Sequence, residues 1–355
     1  MPSEILGGTT AWLRLAFRSL LVLPCCVLAC ASDTASEQQL EAQSIVSRAE
    51  ELFETRQPDA LLESAALFAD AVALDDSNPL AYAGLASSSC LLALYSTVPP
   101  QEVLRTAERA ARRAIELDPE LAQAYAALGL VEYLHRWNWA RAEELFAESI
   151  ARDPGAAEVR HWYAMMLMAL GRNEEAVESI TKAEELDPRS RIIAVKRGTV
   201  LTASARFEEA ERELRRSAER FPSMALPWRE LGFLELQRGL PEKAAEAFER
   251  AASIRAESSK VASGLGHSYA VLGRRQEAEA IVGTLLKRSA EGFVPPLSVA
   301  LVYAGLDQRE NAFEWLERAF LIRDPGLVYL AVKPGFGRLR DDPRFAELLA
   351  RIGLE

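Results

Sequence analysis

At 355 residues, 49% hydrophobic and 26% charged, the chain has the composition of a folded protein with substantial cores, which excludes extensive disorder. Its 41 Lys and Arg against 52 Asp and Glu give a net charge of -11 at pH 7, a poor match to the clustered positive charge that a phosphate backbone demands. Four cysteines, three of them crowded into one apolar run, cannot form a disulfide framework, and three histidines supply little for a metal or acid–base site.

The first 18 residues carry Arg14 and Arg18 and a single acid, Glu4, and Ser19 to Cys30 follow without a charge. That run of about a dozen residues is shorter than the roughly 20 a membrane-spanning helix requires. A basic start, a short apolar stretch and then small residues form an export-signal pattern. Val27-Leu28-Ala29-Cys30 resembles a bacterial lipobox, which would place a lipid on Cys30 after removal of residues 1–29, although Leu28 is bulkier than the small residue usual there. Ala29-Cys30-Ala31 also satisfies an A-x-A cleavage pattern, which would release a soluble exported chain after Ala31; a short uncleaved anchor is the third reading. Residues 30–42 are polar and read as a flexible tether. The reading carried forward is a lipid-anchored protein of the bacterial cell envelope, on the outer membrane or the periplasmic side, with a soluble exported form as the alternative.

Beyond residue 42 the chain is periodic. Pro119, Pro154, Pro188 and Pro222 recur at intervals of 35, 34 and 34 residues. Before the last three prolines stands a triplet of small, large and small side chains at spacings of four and three: Ala142, Phe146 and Ser149; Ala176, Ile180 and Ala183; Ala210, Leu214 and Ser217. The pattern continues as Ala244, Phe248 and Ala251, then Ala278, Val282 and Leu285, then Ala312, Leu316 and Ala319, with an earlier copy at Phe68 and Ala71. Residues at i, i+4 and i+7 share one helix face. Small side chains there admit a neighbouring helix to about 8–10 Å, the large one fills the gap, and the proline ends the helix. The first half of each unit is clearest at Trp228, Leu231, Gly232 and Gly239.

On these residues the chain resembles the tetratricopeptide repeat family, whose helix–turn–helix units carry this signature, including Pro154 and Pro188. The resemblance covers residues 43–325 in some seven to eight units and implies an all-α fold, a right-handed α-solenoid, with residues 326–355 as a C-terminal cap. The stretches His135 to Glu143, His161 to Ala164, Val294 to Gly305 and Phe313 to Ala319 are similar to a subgroup whose repeats are commonly fused to winged-helix regulators, Ser/Thr kinases or adenylate cyclases. Here an export-like segment precedes the repeats instead. The period slips twice: Asp76 to Pro119 spans 43 residues, with the surplus near Leu94 to Pro100, where a longer loop between helices is expected, and after Pro325 the segment Val332 to Leu339 leads into Asp341 to Phe345 and a last amphipathic helix.

The family resemblance implies a concave surface lined by the first helix of each unit. Its positions here are Tyr133, His161, Met165, Met168, Thr199, Thr202, Arg229, Phe233, Gln237, Lys260 and His267, a mixed set suited to irregular apolar ligands. No phosphate-binding, dinucleotide, nucleophile-elbow or zinc-protease motif occurs. Acidic runs such as Glu174-Glu175 sit beside basic residues as solvated helix faces. Trp137, Trp139 and Trp162 read as packing between units or as a recognition patch, and Cys90 as a small buried residue. These features lead to a non-enzymatic scaffold for protein–protein interaction that takes a protein or peptide partner in its groove and meets the membrane through a lipid anchor. No cofactor, nucleic acid or small-molecule substrate is expected. The alternative is a regulatory or sensory module acting on a separate signalling or transcription partner.

Labelled palmitate fed to a bacterial host expressing the full chain is expected to label the protein and fractionate it with membranes, and Cys30→Ala should abolish both. An unlabelled product cut after Ala31 would establish the soluble exported form instead.

Overall fold

The computed structural model describes residues 31–95 and 98–354, with residues 31–36 described by their backbone alone; the export signal and Cys30 lie outside the described residues. Within these bounds the 34-residue period becomes a stack of eight helix pairs. The first helices are α1 (Ala31–Thr55), α3 (Pro79–Tyr95), α5 (Ala122–Val131), α7 (Ala157–Ala169), α9 (Arg191–Ala203), α11 (Ala225–Gln237), α13 (Ser259–Val271) and α15 (Pro296–Gly305). Their partners are α2 (Pro58–Leu74), α4 (Pro100–Leu117), α6 (Trp139–Arg152), α8 (Asn173–Leu186), α10 (Phe207–Arg220), α12 (Pro241–Ile254), α14 (Arg275–Glu291) and α16 (Arg309–Leu321). After α16 come two short 3₁₀ turns and a last helix, α17 (Pro343–Arg351).

Two chemical devices set the period. The first is a residue in the left-handed conformation at the end of the first helix, at Trp137, Gly171, Ala205, Gly239, Gly273 and Asp307, 34 residues apart each time. Glycine holds that conformation at little cost, whereas each of the other three carries roughly 1–2 kcal/mol of strain. The second device is the aspartate before Pro119, Pro154 and Pro188, whose place before Pro222 is taken by Phe221. At Asp118, Asp153 and Asp187 the backbone amide closes the preceding helix onto the carbonyl four residues back, at 2.9 to 3.0 Å. The same residue's carboxylate accepts from the amide two residues on, at 2.9 to 3.1 Å. The proline only forbids continuation; the aspartate builds the turn. Where both are missing, after α12, Ser258 caps α13 through the amide of Val261.

First helices are sandwiched by neighbours and buried nearly all round, as in α5 and α15, whereas second helices bury one stripe and leave the rest to solvent, as in α4. The small–large–small triplets are that stripe. Ala142, Phe146, Ala176, Ala183, Ala244, Phe248 and Ala251 have no exposed surface. Phe146, Leu214 and Phe248 stand against Gly129, Gly198 and Gly232 of their own unit's first helix, while Phe68 and Phe248 also meet Gly84 and Gly264 of the following one. A Cβ on Gly129 would stand 2.9 Å from the Phe146 ring, and one on Gly232 2.7 Å from Phe248. Leu231 is buried, and Trp228 stands half-buried at the outer end of α11.

Two expectations are corrected. Helix α1 already runs from Ala31, and Ala42 is fully buried, so residues 31–42 are helix and not a flexible tether. The surplus between Asp76 and Pro119 is spent inside the helices: α3 and α4 have 17 and 18 residues, where α7 and α8 have 13 and 14. Among the described residues, no helix is long and apolar enough to cross a membrane.

The stack also turns back on itself. The Trp139 indole Nε1 donates to the Ile352 carbonyl at 2.8 Å, Arg323 to the His135 carbonyl at 2.7 Å, and Gln101 to the Leu321 carbonyl at 3.0 Å. The Trp137 ring lies 5.2 Å from the Phe320 ring, with the Arg323 guanidinium 4.5 Å over its face. The tryptophans therefore pack between the third unit and the C-terminal end.

Gly232→Ala should lower stability by about 1–3 kcal/mol, because the Phe248 ring must yield. Gly283, on exposed helix surface where a Cβ would meet nothing within 4 Å, is the control. Gly283→Ala should raise stability by about 0.5–1 kcal/mol. Chemical denaturation of the two variants beside the parent checks both signs.

Candidate functional site

A cavity of about 170 Å³ lies inside the turn of helices. Ten of the eleven residues expected to line the concave surface do line it: Tyr133, His161, Met165, Met168, Thr199, Thr202, Arg229, Phe233, Gln237 and Lys260. They converge because each first helix presents the same face inward and successive units repeat it. His267 is the exception. Its Nδ1 sits 3.0 Å from the Leu301 carbonyl, and its ring lies behind the cavity against Gly305 and Gly335. Burial, with Arg338 and Lys333 near it, lowers the His267 pKa to about 4, so the ring is neutral near pH 7 and Nδ1 carries the proton it donates.

The concave surface has a wall along one side. Asp324, Gly326, Tyr329, Val332, Lys333 and Pro334 close one side of the same cavity. Residues 326–355 were expected to form a polar outer cap. Only α17 does so: Leu327, Val328, Leu330, Phe336 and Leu339 have no exposed surface, because the segment runs inward against α3, α13 and α15. The Tyr329 ring meets Tyr133 edge-on at 6.3 Å, and the Lys333 ammonium lies 4.2 Å from the Phe233 ring centre.

Most of the lining is apolar, but charged groups sit within it. Lys196 and Glu230 are 8% and 7% exposed, and the Lys196 ammonium stands 3.4 Å from the Glu230 carboxylate. Arg229 donates to that carboxylate at 2.5 Å. Burial pushes the Glu230 pKa up, yet Lys196, Arg229 and Lys333 outweigh it and hold the carboxyl at about 2. Lys260 donates to the Leu94 carbonyl at 2.5 Å, from the last turn of the lengthened α3. Burial pushes Lys260 down to about 7 and Lys333 down to about 8, with Arg229 adding to both shifts. Asp324 is raised by burial and accepts from the amides of Gly326 at 2.9 Å and Leu297 at 3.3 Å. His161 is held neutral by burial and by the charges of Lys196 and Arg56.

Sequence reasoning passed over Lys196, Glu230, Asp324 and Lys333. A signal was present: Lys196 and Glu230 are opposite charges at the same place in consecutive units, 34 residues apart, on first helices whose inward positions are buried. Among the described residues, no group of three or more His, Cys, Asp or Glu side chains is placed to hold a metal ion. Cys90 is buried, and burial pushes its thiol up, away from the reactive thiolate.

Residues 133–197 and 195–259 each match a family model described as tetratricopeptide repeat. The chain is 27% identical over 131 residues to the transcriptional regulator HilA of Salmonella typhimurium, a match that covers 37% of this chain and 24% of that protein. It therefore spans about a quarter of the length of that relative. Among solved structures, the fold resembles the anaphase-promoting-complex hetero-tetramer Cut9–Hcn1, with a TM-score of 0.56 at 19% identity over 88% of this chain and 56% of that one. It also resembles yeast Tom70, with a TM-score of 0.52 at 15% identity over 87% and 67% of the two chains.

Glu230→Gln leaves Lys196 and Arg229 buried beside a neutral amide and should destabilise the protein by about 3–5 kcal/mol at pH 7. Because the Glu230 pKa is depressed from 4.5 to about 2, its contribution is complete above pH 4.5 and is lost as pH falls towards 2. The gap between parent and variant should therefore narrow across that window. Denaturation midpoints measured at pH 7 and pH 3 test it.

Proposed function

The chain is a tetratricopeptide-repeat protein, and from that premise we propose that it is a non-catalytic binding scaffold of the bacterial envelope. A lipid on Cys30 would hold it at a membrane, and the protein partner would be engaged through the interior face of the repeats. One observation carries this reading: side chains from seven consecutive units converge on a single cavity of about 170 Å³. A surface assembled this way is preformed, so little ordering entropy opposes binding. The walls limit what can enter. The segment that bears Tyr329 and Lys333 lines one side of the cavity, which favours a partner that presents a short chain end or projecting side chain over a whole helix about 10 Å across. Tethering raises the effective concentration of such a pair without new contacts.

A second reading, a regulatory module acting on a separate partner, has one observation in its favour: the 131-residue similarity to a transcriptional regulator. Both readings predict a defined partner and differ in its kind.

A photo-crosslinking residue at Thr199, which lines the cavity, is expected to trap one defined protein in cells of the native host. The same residue at Glu178, on the exposed face of α8, should trap none. An envelope protein in the adduct supports the scaffold; a signalling or transcription protein supports the module. Adducts from Glu178 with none from Thr199 would remove the interior from the recognition surface.

A further inference from the structure

We propose that the interior cavity is a binding site for a small organic carboxylate with an aliphatic body, its head held by Lys260, Lys333 and Arg229. The inference starts from a charge imbalance. Four cations, Lys196, Arg229, Lys260 and Lys333, line the cavity with two carboxylates, Glu230 and Asp324. Both carboxylates are already engaged. Glu230 takes Lys196 at 3.4 Å and Arg229 at 2.5 Å, and Asp324 takes the backbone amides of Gly326 and Leu297. Two ammonium groups are left over, in a chain whose net charge is -11.

Neither makes a salt bridge within 4 Å among the described residues; Asp324 lies near enough to favour both charges and Glu230 to favour that of Lys333, but two carboxylates do not balance four cations. The Lys260 ammonium meets the Leu94 carbonyl and, at 5.7 Å, the face of Tyr95; the Lys333 ammonium meets the face of Phe233 at 4.2 Å. The Arg229 Nε is buried with no hydrogen-bond partner among the described residues. A cation removed from bulk water without a counter-charge is costly, and two routes relieve the cost: loss of the proton or arrival of an anion. Burial has already brought Lys260 to about 7 and Lys333 to about 8, so both ammonium groups stand near the point of deprotonation. A bound carboxylate supplies the missing charge and accepts from all three donors. The rest of the lining chooses the other end of the ligand. Phe233 and the methionines of α7 offer an adaptable apolar wall, which a bare inorganic anion cannot use.

Calorimetry of the full chain with octanoate, octanol and inorganic phosphate tests the site. Octanoate should bind, while octanol and phosphate should each bind at least ten-fold more weakly. Binding should take up protons, up to roughly one at pH 8, because the carboxylate raises the pKa of both lysines. This appears as a dependence of the observed heat on the buffer's ionisation enthalpy. The affinity should fall as pH rises above 8. Lys260→Met and Lys333→Met should each weaken octanoate binding at least ten-fold, and since each removes an uncompensated buried charge, both variants should remain folded in a thermal scan. Octanol binding as tightly as octanoate, phosphate binding as tightly, or no loss in either methionine variant would overturn the proposal. The inference uses the cavity of the scaffold reading but stands apart from it. A Thr199 adduct without octanoate binding sinks this site alone, and octanoate binding without an adduct sinks the interior partner alone.

Discussion

The ring of Phe248 fills the space that a side chain at position 232 would need, and the same contact joins Phe146 to Gly129. This approach between the two helices of a unit is the constraint on which the rest of the molecule depends. It fixes how closely the helices lie, and the left-handed residue 34 positions apart fixes how the chain leaves one helix for the next. Repeated with little variation, a fixed contact and a fixed turn produce a fixed rotation per unit. After eight units that rotation carries α16 and the segment behind it back to α3, α5 and α6. A solenoid's stability is ordinarily a sum over neighbours. Here the bonds from Trp139 to Ile352 and from Gln101 to Leu321, separated by 213 and 220 residues, add terms that no neighbouring pair supplies.

What was legible in the sequence follows from that distinction. The period, the small–large–small stripe and the inward positions of α7, α9 and α11 are local, and each residue signals its own role. The return of the last units to the first is not local. It accumulates from a rotation that no single residue encodes, so the wall that residues 324–334 add to the concave surface was not expected. Leu327, Val328 and Leu330 form an apolar run inconsistent with an outer cap, but their neighbours Lys333, Pro334, Gly335 and Gly337 read as loop and masked it. Lys196 and Glu230 failed for a related reason. A charge on a helix is usually a solvated face, and only its place among buried neighbours reveals otherwise. Trp137 holds a left-handed backbone, a strained conformation for a bulky residue. The strain becomes intelligible once Phe320 and Arg323 are seen to enclose its ring.

The charges divide the molecule in the same way. On the outside, Arg172 is shared between Glu143 and Glu175, Arg344 between Glu310 and Asp342, and Arg351 pairs with Glu317. Two of these pairs, Arg344 with Glu310 and Arg351 with Glu317, span 34 residues and tie α17 to α16. Exposed pairs of this kind are worth little, typically about 0.2–1 kcal/mol, and discriminate poorly between partners. Inside, four cations face two carboxylates in apolar surroundings, where each unpaired group is expensive and each well-placed partner is selective. Under the proposed scaffold reading, specificity resides in the interior.

The wall of the interior and the clasp between the ends are made by one stretch of chain. Arg323 stacks on Trp137 and bonds to the His135 carbonyl; one residue later Asp324 lines the cavity, followed by Tyr329 and Lys333. A ligand too long for the cavity would have to displace that stretch and so break the clasp, losing the buried contacts of Leu327, Val328 and Leu330 as well. At roughly 1.5–3 kcal/mol for each buried aliphatic side chain, that displacement opposes long ligands strongly. A ligand that fits within the walls meets no such cost and adds charge where the wall lacks it. The geometry that makes the solenoid close is thus also the geometry that sets the size of what it can hold.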